Sequence, residues 1–397
     1  MSCFSLFSLQ IMAKPAADKH YDLIVIGGGS AAFGVALAAK ERGLKTALFE
    51  KGGFFQATSA NHLRIMHGGF RYFQNLDPAR IVESIRAQSY WLKEAADLIR
   101  PLPCLMPLSR CGLKSRYPLW IVKELYQALY RRFGFTAYAG ASLESSEFVR
   151  QKLPLLAELA PYGVLQWHDA LVEDLEDFNR RLVRYSSGPT VALFEHTEVK
   201  SLELGEPEAV VVAAGPDGNS EFFGKVIVNA AGPWIERLRP KAVVASAPRL
   251  RWCLAFNLVL DKLLVKEYAV GVSGSEGRLF FLTPRSDRSA LGTFHTPEVS
   301  SPDQIEVPED EVQAAITSFQ RAWPSLGFSR INVQSLEAGI IPVRGFRGRE
   351  PVFYGAERIF SFGRYLEVVS TKYTTFRSLG EKVAGQVAAL LGVEKPR

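Results

Sequence analysis

The chain has 397 residues, 47% hydrophobic, 22% charged and 11% aromatic, a globular composition long enough for two ordinary domains or one large α/β unit with an added layer. Its net charge of +6 is spread over 47 basic and 41 acidic residues. No basic stripe with interleaved aromatics appears, so nothing supports nucleic acid as a partner, while anionic ligands or surfaces are mildly favoured. Cys3, Cys104, Cys111 and Cys253 show neither CxxC nor zinc-ligand spacing, which implies a reduced, cytoplasmic setting and no structural metal.

In chain order, the opening "MSCFSLFSLQIM" is apolar but has no basic n-region and no small-residue cleavage site, so residues 1–20 are expected to be a disordered leader, with an upstream start before Met12. Leu23 to Ala39 runs seventeen residues without a charge. A spanning helix needs roughly 20, and Gly27, Gly28 and Gly29 break the run into strand, turn and helix. "YDLIVIGGGSAAFGVALAAKERGLKTALFEK" then reads as a βαβ unit carrying GxGxxG/A at Gly27, Gly29 and Ala32, with Glu50 ending the second strand. Gly27 permits the turn, Gly29 lets backbone approach a pyrophosphate, Ala32 allows close helix packing, and Glu50 can accept from a ribose hydroxyl. This motif does not separate NAD from FAD.

"DPARIVESIRAQSYWLKEAADLIR" has helical spacing and is broken by "PLPCLMPL". The next helix opens at Pro118 and is expected to place Val122, Leu125, Leu129 and Phe133 on one core stripe, with Arg131 and Arg132 in its last turn. The alternative for Pro101 to Phe133 is a basic amphipathic segment lying on the inner face of a membrane. From "PTVALFEHTEVKSLEL" through "RLFFLTPRSDRSALGTF" the chain alternates strands and turns as an antiparallel sheet would, whereas "KVIVNAAGPW" reads as a buried parallel strand. "KYTTFRSLGEKVAGQVAALLG" is helical, capped at Thr374 or Thr375, and leaves Lys372 at a strand-to-helix junction where a cation meets free helix N–H groups.

"VIGGGSAAFG", "EKGGF", "HGGFRYF", "RPLPCLMPL", "NAAGPW", "LGTFHTP" and "KYTTFRSLGEK", in this order, resemble the flavin-dependent glycerol-3-phosphate dehydrogenases, within the D-amino-acid-oxidase-like FAD oxidoreductases. The resemblance covers Tyr21 to about Leu391, and the family's separate C-terminal helical domain is expected to be absent. It implies an α/β fold: a Rossmann-like, glutathione-reductase-like FAD domain at 21–95, 185–245 and 350–397, and an antiparallel-sheet substrate domain at 96–184 and 246–349. FAD is the implied cofactor. Lys51, Thr58 and Ser59 would accompany Glu50 along the dinucleotide, and His67, Gly68 and Gly69 would border the flavin ring. Val199, Ala230 and Gly232 would pass close to the cofactor, and Lys372 and Thr374 would lie at the pyrimidine edge. Arg344 in "IIPVRGF" would hold the substrate's anionic group.

Two departures stand out: Asn61 where the family has a pocket arginine, and Asn257 where it has a histidine in the sheet domain. An asparagine does not replace a guanidinium fork. Ser370 and Thr371 also replace paired glycines before Lys372. The expected reaction is hydride transfer from a CH–OH carbon of a small, glycerol-3-phosphate-like anion to flavin N5, with His67 or His295 as base, each having a structural, hydrogen-bonded alternative. Oxidation of a CH–N bond, or flavin binding without turnover, are the other readings, and quinone or oxygen would take the electrons.

Overall fold

The computed structural model describes residues 18–75, 77–134, 140–274, 279–303 and 305–393. The expected leader falls outside them up to residue 17. Two sheets organise the described residues. The first has eight strands, its main path running Arg358–Phe362, Tyr365–Val369, Gly218–Asn229, His20–Ile26, Thr46–Phe49, Val191–Phe194. Its centre is parallel because the apolar run Leu23–Ile26 lies between Val226–Asn229 and Thr46–Phe49, covered on one face by the helices Ser30–Lys40 and Phe376–Leu391. Those two helices meet through glycines: a Cβ on Gly34 would lie 2.2 Å from the Phe376 carbonyl oxygen, and one on Gly380 would lie 2.0 Å from that of Gly34. Any side chain at either position would drive the helices apart.

The second sheet has ten strands, mostly antiparallel, running from Glu350–Phe353 through Val333–Arg347, Arg251–Leu260, Ser289–Glu298, Leu279–Pro284, Ala269–Ser273, Ile99–Pro107 and Val164–Val172 to Ile65–Met66. Leu254, Phe256, Leu258 and Phe294 enter a core with Val312, Ile316 and Phe319 of the helix Glu309–Ala322. Ala255 and Asn257 therefore take the opposite face. That face turns toward the first sheet's loops.

Several expectations need correction. The proline-rich "PLPCLMPL" is a strand, paired along its length with Val164–Val172; on its other side only Cys104 and Leu105 pair, with Ala269 and Val270, so the missing N–H groups of Pro101 and Pro103 disturb little. Val191–Phe194 pairs parallel with Thr46–Phe49, not antiparallel. The helix Arg116–Phe133 buries Leu119, Tyr126 and Tyr130 and leaves Leu125 53% exposed, because the two tyrosines fill the core position, Tyr130 donating to Gln88 Oε1 at 2.8 Å. The expected domain boundaries also shift: Glu350–Phe353 and Ile65–Met66 belong to the second sheet, and the helix Leu175–Ser186 packs Phe178 and Leu182 against the first sheet's core.

Candidate functional site

At the dinucleotide end the sequence motif becomes a cradle. Gly27 has φ +112, and a Cβ there would meet the Ala230 carbonyl oxygen at 2.6 Å, while Ala230 N donates to Ile26 O at 2.8 Å. The helix Ser30–Lys40 starts after Gly29 with no side-chain cap, and Ser59 Oγ accepts from Ser30 N at 3.0 Å. Ala32 is fully buried in the helix packing. Glu50 accepts from Gly28 N at 2.6 Å and from Gly52 N at 2.8 Å, which fixes its carboxylate under the turn. Lys51 lies 4.0 Å above the Trp234 ring. Val199 is buried in the strand Glu198–Glu203, and Gly232, at φ +58, turns the chain after Asn229. An uncapped helix N-terminus, a backbone with no Cβ in the way and an immobilised carboxylate together fit a dinucleotide.

The Thr58 side chain is engaged within the protein. Its hydroxyl donates to Ile340 O at 2.9 Å and accepts from Ile340 N at 3.0 Å, and a Cβ on Gly339 would come within 2.8 Å of Thr58 Cα. The side chain thus staples the loop to the second sheet, and only Ser59 turns to the helix start. Asn61 donates to Ala57 O at 3.0 Å and closes the short 3-10 turn Thr58–Ala60.

Farther along the loop, His67 Nδ1 lies 3.2 Å from Asp169 Oδ2, and Gly68 N donates to Asp169 Oδ1 at 2.7 Å. Asp169 is 3% exposed; His67 is one-third exposed. Gly69, at φ +84, packs against Ile81 and Ser84 so closely that no side chain fits. His67 N donates to Thr374 Oγ1 at 3.2 Å, which joins this loop to the last helix. That helix starts after Thr375, whose hydroxyl donates to Glu357 at 2.6 Å and leaves the N-terminus uncapped. Lys372 sits 4.1 Å from the Tyr72 ring centroid, and burial lowers its pKa to about 8 despite the attraction of Glu357. Burial in turn pushes the Tyr72 phenol up to about 12.

The sheet face above holds Asn257, 1% exposed, whose Oδ1 accepts from Thr293 Oγ1 at 3.0 Å. His295 alternates with Thr293 along its strand, and its ring lies 4.7 Å from that of Phe353. Arg344 is exposed near the end of its strand, with no hydrogen bond or ion pair to a described residue.

Sequence reasoning passed over the charges that are there. Arg71 follows "HGGF" directly; water reaches its side chain, yet the surrounding protein lowers its pKa below the ordinary guanidinium value, with Tyr72 and Asp169 opposing, and it lies 5.7 Å from the Phe281 ring centroid. Asp169, in "WHDAL", and Arg64, Arg285 and Glu337, which meet beside Asn257, were equally unremarked. Arg71 had a local signal, its place after the two glycines; the others had none, because their partners are distant in sequence.

Residues 22–365 match the profile of the DAO family, FAD dependent oxidoreductase. The aerobic glycerol-3-phosphate dehydrogenase of Bacillus subtilis (strain 168) is 25% identical over 393 residues, covering 97% of this chain and 70% of that protein. The glycerol-3-phosphate dehydrogenase of Synechocystis sp. (strain ATCC 27184 / PCC 6803 / Kazusa) is 25% identical over 408 residues, covering 96% and 72%. Among solved structures, the glycerol-3-phosphate dehydrogenase from Bacillus halodurans complexed with FAD superposes with a TM-score of 0.71 at 22% identity, covering 95% of this chain and 66% of that one. The L-proline dehydrogenase from P. horikoshii gives 0.68 at 16% identity, covering 95% of both. The chain therefore spans about two thirds of the length of the glycerol-3-phosphate dehydrogenases that it matches.

Proposed function

Because this chain belongs to the DAO family of FAD-dependent oxidoreductases, we propose that it oxidises a CH–OH carbon of a small anionic substrate of the glycerol-3-phosphate type. FAD, when bound, accepts the hydride. Gly27, Gly29, the start of the Ser30–Lys40 helix, Ser59 and Glu50 would hold its dinucleotide portion, and His67 to Gly69, Lys372 and Thr374 its ring.

The observation that carries this reading is the pair His67–Asp169. With Nδ1–H donated to the buried carboxylate, Nε2 keeps its lone pair on a ring that is one-third exposed, and would take the hydroxyl proton. Asp169 also holds Gly68 N, so one carboxylate sets both the tautomer and the loop. Lys372 and the uncapped helix after Thr375 supply positive charge beside the His67 loop, which would offset negative charge on a reduced flavin held there. Arg71, beside the His67–Gly69 loop, and Arg344, the arginine expected from the motif, are the cations that would draw in an anion. Asn257 cannot act as a base, and its amide is held by Thr293.

Electrons would pass on to quinone or oxygen. For quinone, the protein would dock on a membrane through the helix Arg116–Phe133, where Tyr117, Trp120, Ile121 and Leu125 are exposed beside Arg116, Arg131 and Arg132, with exposed Leu113 in the turn before it. A cavity of about 530 Å³ lined by Arg116, Tyr117, Trp120 and Lys123 adjoins this face. No described helix is long and apolar enough to cross a membrane. Trp120→Glu should abolish sedimentation with anionic vesicles; unchanged sedimentation would remove this docking face.

The test of the activity is anaerobic mixing of the FAD-loaded protein with hydroxy acids, polyol phosphates and amino acids. Bleaching by one or more of the first two groups is expected. Bleaching by amino acids alone would replace the proposal with oxidation at CH–N, and bleaching by dithionite alone would leave a flavin-binding protein without turnover.

A further inference from the structure

Opposite Asn257, the second sheet turns a charged cluster toward the cofactor loop. Asn257 and Glu337 are register partners on adjacent strands. Glu337 accepts from Arg285 at 2.9 Å and lies 3.9 Å from Arg64. Arg285 is almost wholly buried and also donates to Leu63 O at 2.9 Å and His62 O at 3.0 Å, clamping the loop to the sheet.

The polar atoms of this cluster are not all satisfied. Arg285 Nε, Arg64 Nε and His62 Nε2 are buried without a partner. His62 Nδ1 accepts from Arg64 N at 3.0 Å, which puts the ring proton on Nε2. Burial, reinforced by the guanidinium groups of Arg285 and Arg64, holds the His62 pKa down to about 3, so the ring is neutral. Arg64 has φ +61, a left-handed backbone that a long side chain rarely adopts. Conformations of this kind persist where the surroundings hold them, and they concentrate at functional positions.

Charge decides what such a place can take. Glu337 offsets Arg285, its close partner, and leaves Arg64, 29% exposed, as the cation still open to a ligand. One planar guanidinium fork matches one carboxylate. A doubly charged phosphate would bring its second charge against Glu337.

We propose that Arg64, backed by the Arg285–Glu337 pair, is a subsite for the substrate's anionic group, and that Glu337 filters charge so that a carboxylate is preferred to a dianionic phosphate. This rests on the reading that a small anionic carbinol is oxidised and narrows it, with a carboxylate in place of the phosphate of a glycerol-3-phosphate-type substrate. Arg71 supplies attraction to any anion, and the Arg64–Glu337 pair chooses among them. Glu337 touches the ligand's surroundings rather than the reacting atoms, so its mark is on discrimination and not on the chemical step.

The test uses the FAD-loaded protein at about pH 8, where phosphate is mainly doubly charged, and reads dissociation constants from the flavin absorbance. The ligands are glycerate against glycerol 3-phosphate, and acetate against inorganic phosphate. The wild type should favour the carboxylate of each pair. Glu337→Gln should move the ratio about tenfold toward phosphate, Glu337→Asp should hold it near the wild-type value, and Arg64→Met should weaken all four ligands. An unchanged ratio in a Glu337→Gln protein with normal FAD content would overturn the filter, as would a wild type that prefers both phosphates. Acetate and phosphate report on the filter even if no carbinol bleaches the flavin, so failure of the reaction and failure of the subsite remain separate results.

Discussion

Two buried arginine–glutamate pairs hold this molecule together, and they are not alike. Arg239 in the first sheet's surroundings donates to both oxygens of Glu367 at 2.7 and 2.9 Å, to Glu236 at 3.1 Å and to Pro248 O at 2.8 Å. Burial works against its charge, but the Glu367 fork outweighs it and raises the pKa. Arg285 in the second sheet has one carboxylate contact, two carbonyls and an unpaired Nε, and burial lowers its pKa to about 10. A saturated pair explains itself as structure, whereas an unsaturated one beside a strained arginine and a sheet-to-loop junction points to a ligand.

The contrast can be broken or sharpened by mutation. The largest effect is expected where the site acts on chemistry: Asp169→Asn should lower the rate of flavin reduction by about 10²–10⁴-fold with FAD retained. A purely structural Asp169 would lose FAD or stability and leave the remaining holoprotein reducing its flavin at near the wild-type rate. Next, Arg239→Met leaves Glu367 buried and uncompensated and should cost about 3–5 kcal/mol of stability by urea unfolding. Glu337→Gln should cost less, about 1–3 kcal/mol, because Arg285 keeps its two carbonyls; equal losses would erase the distinction between the pairs.

Lys372→Ala should slow reduction by about 10²-fold without releasing FAD. Its positive charge is present below a pKa of about 8 and is lost as pH rises through that value, so wild-type reduction should slow on the alkaline side, and negative charge on the bound ring can only move the break upward. A flat alkaline limb in the wild type, unchanged by Lys372→Arg, would contradict the role. The linked effect on folding has the opposite slope: a lysine with a depressed folded pKa destabilises its charged form, so stability rises between about 8 and the ordinary lysine value of 10.5.

The dinucleotide end was readable because its parts are close in sequence. Gly27, Ala32 and Glu50 lie within one βαβ unit, and each residue type follows from a local steric or hydrogen-bonding need. The helix Pro78–Glu94 was equally plain, its Asp77 cap accepting from Arg80 N at 3.1 Å. The substrate end was not, because it is assembled across the chain: His67 finds Asp169, and Arg64 finds Glu337, only after the second sheet forms. The motifs that single out Arg344 and Thr58 say nothing of their surroundings: Arg344 lies exposed, and the Thr58 hydroxyl is bonded to Ile340. Prolines misled at 101–107, where pairing on one side alone suffices for a strand.

The central claim is proton and hydride removal from a carbinol at the His67–Asp169 side of the flavin. Its most direct test is anaerobic stopped-flow bleaching with a carbinol substrate deuterated at the CH–OH carbon, in the wild type and Asp169→Asn. The account predicts a primary isotope effect in the wild type and a reduction rate about 10²–10⁴-fold lower in Asp169→Asn with FAD retained. Bleaching with no isotope effect, or at the same rate in both proteins, would contradict it.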